Sequence, residues 1–472
     1  MLRSAGIYFL VRVLAAALAL MAVAVFTRLV PPELYGIYTL VMSTSVAIFA
    51  VGYQWLRASV LRFVPGENTT PEITLQAVFV GYLLVSALLG LLTLILATGG
   101  FLPVGAGLTL IGLAVTLAYA AMEIIMAAFQ ARKNPRYYAL LTIARSFGSL
   151  IVGAVLAIAG FGGTGLLVGV LTANLLPLIA LRFIDDAKLP ELHVNREELR
   201  RIAAFGLPLG LVGIGGTIIA LSDRYLLAWL IGVDAAGAYA APYDLAQRSL
   251  SVLLLSAFLA CSPNVFGLFS EGKLNEARWA MHAQMSLSLV VALPTATLLA
   301  VTSPLISQIL FGEAFRQTAS ALLPWITAAS LLQGVQSYYF SYGFTLPKRA
   351  GMNAMIVASG ALLNLPLNLI FIPSMGIVGA AVATIISYAA VLFVSIIITR
   401  QWIALPWPLA DTVKVVASCA IAVPVLLMAN NAPSVLFGLV LAAVGGLVMA
   451  TALLASDACG VRRILLRTIR QR

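Results

Sequence analysis

The chain has 472 residues, 62% of them hydrophobic and 10% charged, with a formal net charge of +11. So apolar a composition excludes a water-soluble globular protein, because too few polar residues remain to cover a surface. Three cysteines and two histidines imply neither a disulfide framework nor a histidine-built metal or catalytic centre, and no soluble domain exists to turn the positive charge toward nucleic acid.

A bilayer core takes about 20 apolar residues per helical crossing, and lipid tolerates spanning backbone only as helix or closed barrel. Runs such as Val415–Leu427 and Val435–Ala455 do not alternate as barrel strands would, so the spans are helices. The pattern predicts an all-α polytopic membrane protein. Its spans lie near residues 6–30, 36–62, 74–97, 103–131, 136–159, 163–183, 202–231, 236–267, 278–301, 318–345, 350–373, 376–399, 411–430 and 433–455. The first stretch contains Arg12 and runs into Pro31-Pro32 without a small-residue cleavage site, so it reads as a retained helix. No outer loop exceeds roughly twenty residues, the longest running from about Val301 to Gln317.

One set of connecting loops carries most of the Lys and Arg, including Arg57, Arg62, Arg132, Lys133, Arg136, Arg200, Arg201, Lys273, Lys348 and Arg400. The same side takes Arg3 and the C-terminal Arg462, Arg463, Arg467, Arg470 and Arg472, while the opposite loops hold little beyond Arg28 and Arg316 against Glu33, Asp234 and Glu313. Lys and Arg favour the cytoplasmic side, which predicts both termini in the cytoplasm and an even number of spans, in agreement with fourteen. The basic tail fits anionic lipid headgroups.

The chain also repeats itself. Glu33, Gly36 and Tyr38 line up with Asp234, Gly237 and Tyr239 at the first turn of each half, and Gly162-Gly-Thr-Gly165 lines up with Gly376-Ile-Val-Gly379 further on. The predicted organisation is an N-terminal lobe of six spans (1–184), a cytoplasmic linker (185–201), a C-terminal lobe of six (202–400), two extra spans (401–456) and a basic tail (457–472). Six is even, so the repeats run parallel, as in transporters that expose a central site alternately to either side.

Ionisable residues inside a membrane point to function or to pairing. Glu123 and Arg145 lie about 12 and 14 Å from the cytoplasmic face, Asp223 and Asp244 about 12 Å from the outer one; Arg224 and Arg248 complete the buried set with Arg12. Two readings stand. The charges neutralise one another and hold helices together, with Glu123, Asp223 or Asp244 alternatively carrying a coupling ion. Otherwise Arg145, Arg224 and Arg248 line a cationic cavity where planar guanidinium groups meet an anionic headgroup, with Arg12, Arg28, Arg57 or Arg62 near its mouths. Arg57 and Arg62 equally suit snorkelling to the interface. Asn364 and Asn368, one helical turn apart, and the aromatic run around Tyr339 are candidate sugar contacts or helix-packing and belt residues.

Taken together, Arg28-Leu-Val-Pro-Pro-Glu-Leu-Tyr-Gly-Ile-Tyr38, Arg62-Phe-Val-Pro65, Asp223-Arg-Tyr-Leu-Leu227 and Gly232-Val-Asp-Ala-Ala-Gly-Ala-Tyr239 give the chain a family likeness. The likeness continues in Asn364-Leu-Pro-Leu-Asn-Leu-Ile-Phe-Ile-Pro373 and Gly376-Ile-Val-Gly-Ala-Ala-Val-Ala-Thr384. The chain resembles the O-antigen-type polysaccharide flippases of the multidrug/oligosaccharidyl-lipid/polysaccharide exporter superfamily. The resemblance implies two six-helix lobes around a central cavity, plus two additional helices. It implies alternating-access translocation of an undecaprenyl-pyrophosphate-linked oligosaccharide across a bacterial plasma membrane, without a cofactor and alongside polysaccharide-assembly enzymes. Arg62 and the Asp223-Arg224 pair carry over from the family pattern. A lipid-linked peptidoglycan-precursor flippase and a cation-coupled multidrug exporter are the alternatives. An enzyme of the same pathway, such as a polymerase or ligase, would need a long outer loop with catalytic side chains.

Overall fold

The computed structural model describes residues 2–65, 71–98, 106–181 and 195–460. The expected linker up to residue 194 and the basic tail beyond Gly460 lie outside the described residues. Among the described residues every regular element is helical.

The first helices are α1 (Leu2–Leu29), α2 (Pro32–Ile48), α3 (Gln54–Phe63), α4 (Pro71–Thr98), α5 (Ala106–Ala131), α6 (Pro135–Leu156), α7 (Gly162–Leu181) and α8 (Arg196–Leu230). There follow α9 (Val233–Ser270), α10 (Leu274–Val301), α11 (Ser303–Leu310), α12 (Glu313–Val335), α13 (Tyr342–Thr345), α14 (Ala350–Met375), α15 (Ile377–Thr399), α16 (Leu409–Asn430) and α17 (Val435–Ala455). Length and apolarity make twelve of the described helical stretches candidate membrane spans, against the fourteen expected. One of the twelve, Pro135–Leu181, runs for 47 residues. Straight, it would measure about 70 Å, more than twice a bilayer core, but it reverses at Gly160 and Gly162, both at positive φ, so that α7 packs back on α6. The 35-residue α8 is not among the twelve.

Proline and glycine place the boundaries. Pro32 and Pro135 begin α2 and α6 in the first turn, where a missing N–H is harmless, and Asn134 accepts from Tyr137 N–H at the start of α6. Gly376, at φ +62°, reverses the chain between α14 and α15 as Gly162 does before α7. The last glycine of each motif then allows close packing: a Cβ on Gly379 would lie 2.1 Å from the Phe371 carbonyl oxygen, and one on Gly165 3.0 Å from Leu156. The two glycine motifs thus occupy matching places, each at a helix reversal.

Among the described residues three π-turns occur, at Phe49–Tyr53 between α2 and α3, at Ala157–Phe161 where the chain reverses before α7, and at Gln336–Phe340 between α12 and α13. The predicted helix over 318–345 is therefore broken before its aromatic run ends, and α12 starts earlier, at Glu313. The stretch expected as an open loop from Val301 to Gln317 is largely helical: Pro304 sits in the first turn of α11, and Asn430 Nδ2 donates to the Val301 carbonyl at 2.8 Å.

Contacts divide the chain into two compact units, Met1–Gly237 and Ala238–Arg472. In the first, α8 packs on α3 and α4, so this packing boundary lies beyond the one drawn from the repeat. Asn195 caps α8 at Glu198 N–H, the Glu198 carboxylate accepts from Thr74 Oγ1 at 2.8 Å and pairs with Arg201 at 3.1 Å, and Arg201 lies over the Phe63 ring. A core around Tyr53, Leu56, Val60, Ala77 and Ile202 fills the space between these helices. In the second unit, α16 and α17 pack along each other, and the Asp411 carboxylate ties their ends by accepting from Ser286 Oγ and Cys459 N–H, both at 3.1 Å.

Candidate functional site

Three charged side chains from three helices meet within the spans of the first unit. Glu123 lies two turns before the end of α5, about 12 Å along the axis. Its carboxylate receives Arg145 Nη1 of α6 at 2.8 Å on one oxygen and faces Arg57 Nε of α3 at 3.6 Å with the other. Tyr119, one turn earlier on the same face of α5, lies 5.8 Å from the Arg145 guanidinium. The three charged side chains keep 15% (Glu123), 26% (Arg145) and 29% (Arg57) of their surface exposed. Two cations share one anion, so the cluster carries an excess positive charge and stays partly exposed.

Its placement follows from local sequence. Trp55 Nε1 donates to the Gly52 carbonyl inside the π-turn, and Ser59 Oγ reaches the Ile202 carbonyl of α8 at 3.1 Å, which together hold α3 and aim Arg57 at Glu123. The sequence sets Arg57 near a cavity mouth, toward the end of the span over 36–62; the structure places it in α3 with Glu123 as an ion-pair partner. Arg62 sits on the exposed last turn of α3.

The remaining candidates fall in two groups. On α8, Asp223 is fully buried and Arg224 nearly so; Arg224 Nη1 donates to Ser43 Oγ at 3.2 Å and the next residue, Tyr225, shares a hydrogen bond with Thr44 at 2.9 Å. In the second unit, Arg248 and Asp244 pair at 3.6 Å on one face of α9. Asn368 Nδ2 donates to the Asn364 side-chain and backbone oxygens at 2.9 and 3.1 Å, both residues being fully buried in α14. Tyr339 is buried in the π-turn, its hydroxyl donating to the Pro406 carbonyl and its ring against Phe340 and Trp407. The expected partnerships Glu123–Arg145 and Asp244–Arg248 thus form within their own units.

The profile of the polysaccharide biosynthesis protein family matches residues 25–320, and the chain belongs to that family. An uncharacterized membrane protein of Methanocaldococcus jannaschii is 25% identical over 200 residues, 41% of this chain and 38% of that one. The Probable low-salt glycan biosynthesis flippase Agl15 of Haloferax volcanii is 27% identical over 180 residues, 37% of this chain and 38% of that one. These matches span well under half of either relative. Among solved structures, the lipid II flippase MurJ in an inward closed conformation superposes with TM-score 0.73 at 15% identity, covering 97% of this chain and 99% of that one. A multidrug resistance MATE family transporter in an inward-facing conformation gives 0.63 at 14% identity, covering 83% and 97%. The chain shares the fold of these two proteins, and its twelve long apolar helical stretches make it a multi-pass membrane protein.

Proposed function

We propose that the protein is a flippase that moves a polyprenyl-pyrophosphate-linked oligosaccharide across a plasma membrane, with Arg57 and Arg145 receiving the pyrophosphate. The observation that supports this most directly is the shared carboxylate: Glu123 holds two guanidinium groups in place at membrane depth, and a pyrophosphate offers them a second, more highly charged acceptor. Without a ligand, Glu123 offsets one of the two positive charges of the half-buried arginines. When the headgroup binds, the excess positive charge of the cluster and the remaining guanidinium N–H groups meet its oxygens, while Glu123 keeps the arginines oriented.

Arg62, on the exposed turn below Arg57, serves in this reading as a first contact at the entrance, and Arg248 as a possible later one in the second unit. Undecaprenol as carrier, a bacterial plasma membrane, cytoplasmic termini, alternating access and two repeated lobes bounded at 184 and 202 belong to the same proposal, which the family membership and the positive-inside pattern support. The low-salt glycan biosynthesis flippase among the relatives favours a glycan cargo. The likeness to a lipid II flippase makes a peptidoglycan precursor the competing cargo. An acid at depth beside a MATE-like fold makes cation-coupled drug export the second reading.

The test is movement of a fluorescent polyprenyl-pyrophosphate oligosaccharide in liposomes holding the purified protein, with an unlabelled lipid-linked sugar, a lipid-linked peptidoglycan precursor and a cationic drug as competitors. Competition by the lipid-linked sugar alone is the expected result. Movement of the drug, coupled to an ion and without lipid transport, would assign the protein to the multidrug branch.

A further inference from the structure

A cavity of about 690 Å³ opens in the first unit between α2, α4, α5 and α8, with Val41, Thr44, Thr93, Gly112, Leu113 and Tyr225 in its walls. That is the size of a small-molecule site, but its chemistry suits neither a sugar nor a phosphate. No charged side chain lines it. Its hydroxyls are already engaged: Thr44, Thr93 and Thr116 each donate to a carbonyl of their own helix at 2.8 Å, and Tyr225 is bonded to Thr44. Water needs two to four polar partners to stay in such a place, and a hydrocarbon chain needs none.

The cavity and the Arg57–Glu123–Arg145 cluster share α5. Gly112, Leu113 and Thr116 line the cavity, Tyr119 lies under Arg145, and Glu123 follows one turn later. From Thr116 to Glu123 the axial distance is about 10 Å. A lipid whose charged group sits on the arginines therefore reaches the cavity with carbons about 10 Å along its chain, near the end of a two-isoprene chain and beyond. An ordinary bilayer lipid keeps its charged group at the membrane surface.

We infer that this cavity is the seat of the polyprenyl chain of the transported lipid, so that headgroup and tail are held by one unit at two places along α5. The inference rests on the flippase reading above and adds a determinant of carrier chain length to it.

The test compares two substrates with the same glycan pyrophosphate, one on a long polyprenyl chain and one on a two-isoprene chain, in liposomes with the full-length protein. Wild type is expected to prefer the long chain. Ala228→Phe, which pushes a ring into the cavity, is expected to raise KM for the long-chain substrate about tenfold and leave the short-chain value unchanged, the loss of roughly one pocketed chain segment. As a second measurement that does not depend on this variant folding, benzoylphenylalanine is placed at Leu113 in otherwise native protein and irradiated in membranes. A polyprenyl adduct, identified by mass, is the expected product. An unaltered chain-length preference in Ala228→Phe, or a phospholipid adduct or none at position 113, would overturn the tail site while wild-type transport of lipid-linked glycan persisted. Absence of that transport in wild type would instead remove the flippase reading on which the tail site rests.

Discussion

Gly36 and Gly237 face each other across a reciprocal contact. A Cβ on Gly36 would lie 2.1 Å from the Val233 carbonyl oxygen, and a Cβ on Gly237 would lie 2.1 Å from the Pro32 carbonyl oxygen. Each glycine thus meets the first residue of the other's helix, and the two motifs lie 201 positions apart. Such an exchange of partners is the mark of a local two-fold relation, formed by the two motifs that the sequence repeats. Only glycine allows both backbones so near. Gly36→Ala and Gly237→Ala are each expected to lose about 1–3 kcal/mol through overpacking, read as a lower midpoint of thermal unfolding in detergent. Gly90→Ala, which meets nothing within 4 Å, is expected to leave the midpoint unchanged or raise it.

Ser43–Arg224 and Thr44–Tyr225 form two successive rungs between α2 and α8, both at a separation of 181 residues. Breaking one rung leaves a buried polar group less well satisfied. The cycle Ser43→Ala, Arg224→Lys and the double variant is expected to show a coupling of about 0.5–2 kcal/mol in the unfolding midpoint. Arg224→Ala is expected to reduce the amount of folded protein, whereas Arg248→Ala, whose side chain is half exposed beside Asp244, is expected to leave it intact.

The thiol of Cys459 donates to the Ser286 carbonyl at 3.2 Å, and burial, followed by the Asp411 carboxylate, pushes its pKa up to about 11. The raised value means that the fold favours the neutral thiol. This contribution is fully present below the unfolded pKa near 8.5 and is lost as pH rises toward 11. In a protein with Cys261 and Cys419 replaced by Ser, alkylation at pH 8 is expected to be at least tenfold slower than for a free cysteine, and to accelerate up to about pH 11. Asp411→Asn is expected to raise the rate at pH 8.

Helix positions, the repeat and the two glycine reversals were legible because each depends on short-range chemistry: apolar length, proline in a first turn, glycine at positive φ. Glu123 and Arg145 were also paired correctly, since equal depth on neighbouring helices leaves few other partners. The contact of Arg57 with Glu123 is not legible in the sequence, and the reason is geometric. A span read as one straight helix from 36 to 62 assigns each residue a face at 100° per step, but the π-turn at Phe49–Tyr53 inserts a residue and rotates everything after it by about that angle. The same device at Gln336–Phe340 buries Tyr339 against Pro406 and Trp407, where a regular helix would have left an aromatic run for a sugar or a membrane belt. Hydrophobic periodicity carries no signal of a π-turn, so side chains beyond one are the least predictable part of a membrane span.

Loss of either Arg57 or Arg145 removes a charge-assisted contact of about 1.5–3 kcal/mol, so Arg57→Ala and Arg145→Ala are each expected to reduce lipid transport about 10- to 100-fold. Lysine is expected to restore little, because an ammonium lacks the planar fork that grips two oxygens. The most direct measurement is the rate of polyprenyl-pyrophosphate oligosaccharide transport in liposomes for wild type, Arg57→Ala, Arg145→Ala and the double variant, each first shown to be folded by its unfolding midpoint. The account predicts that folded single variants transport slowly and that the double variant does not transport at all. Wild-type rates in a folded double variant would contradict it, and would leave the cluster as a purely structural ion network.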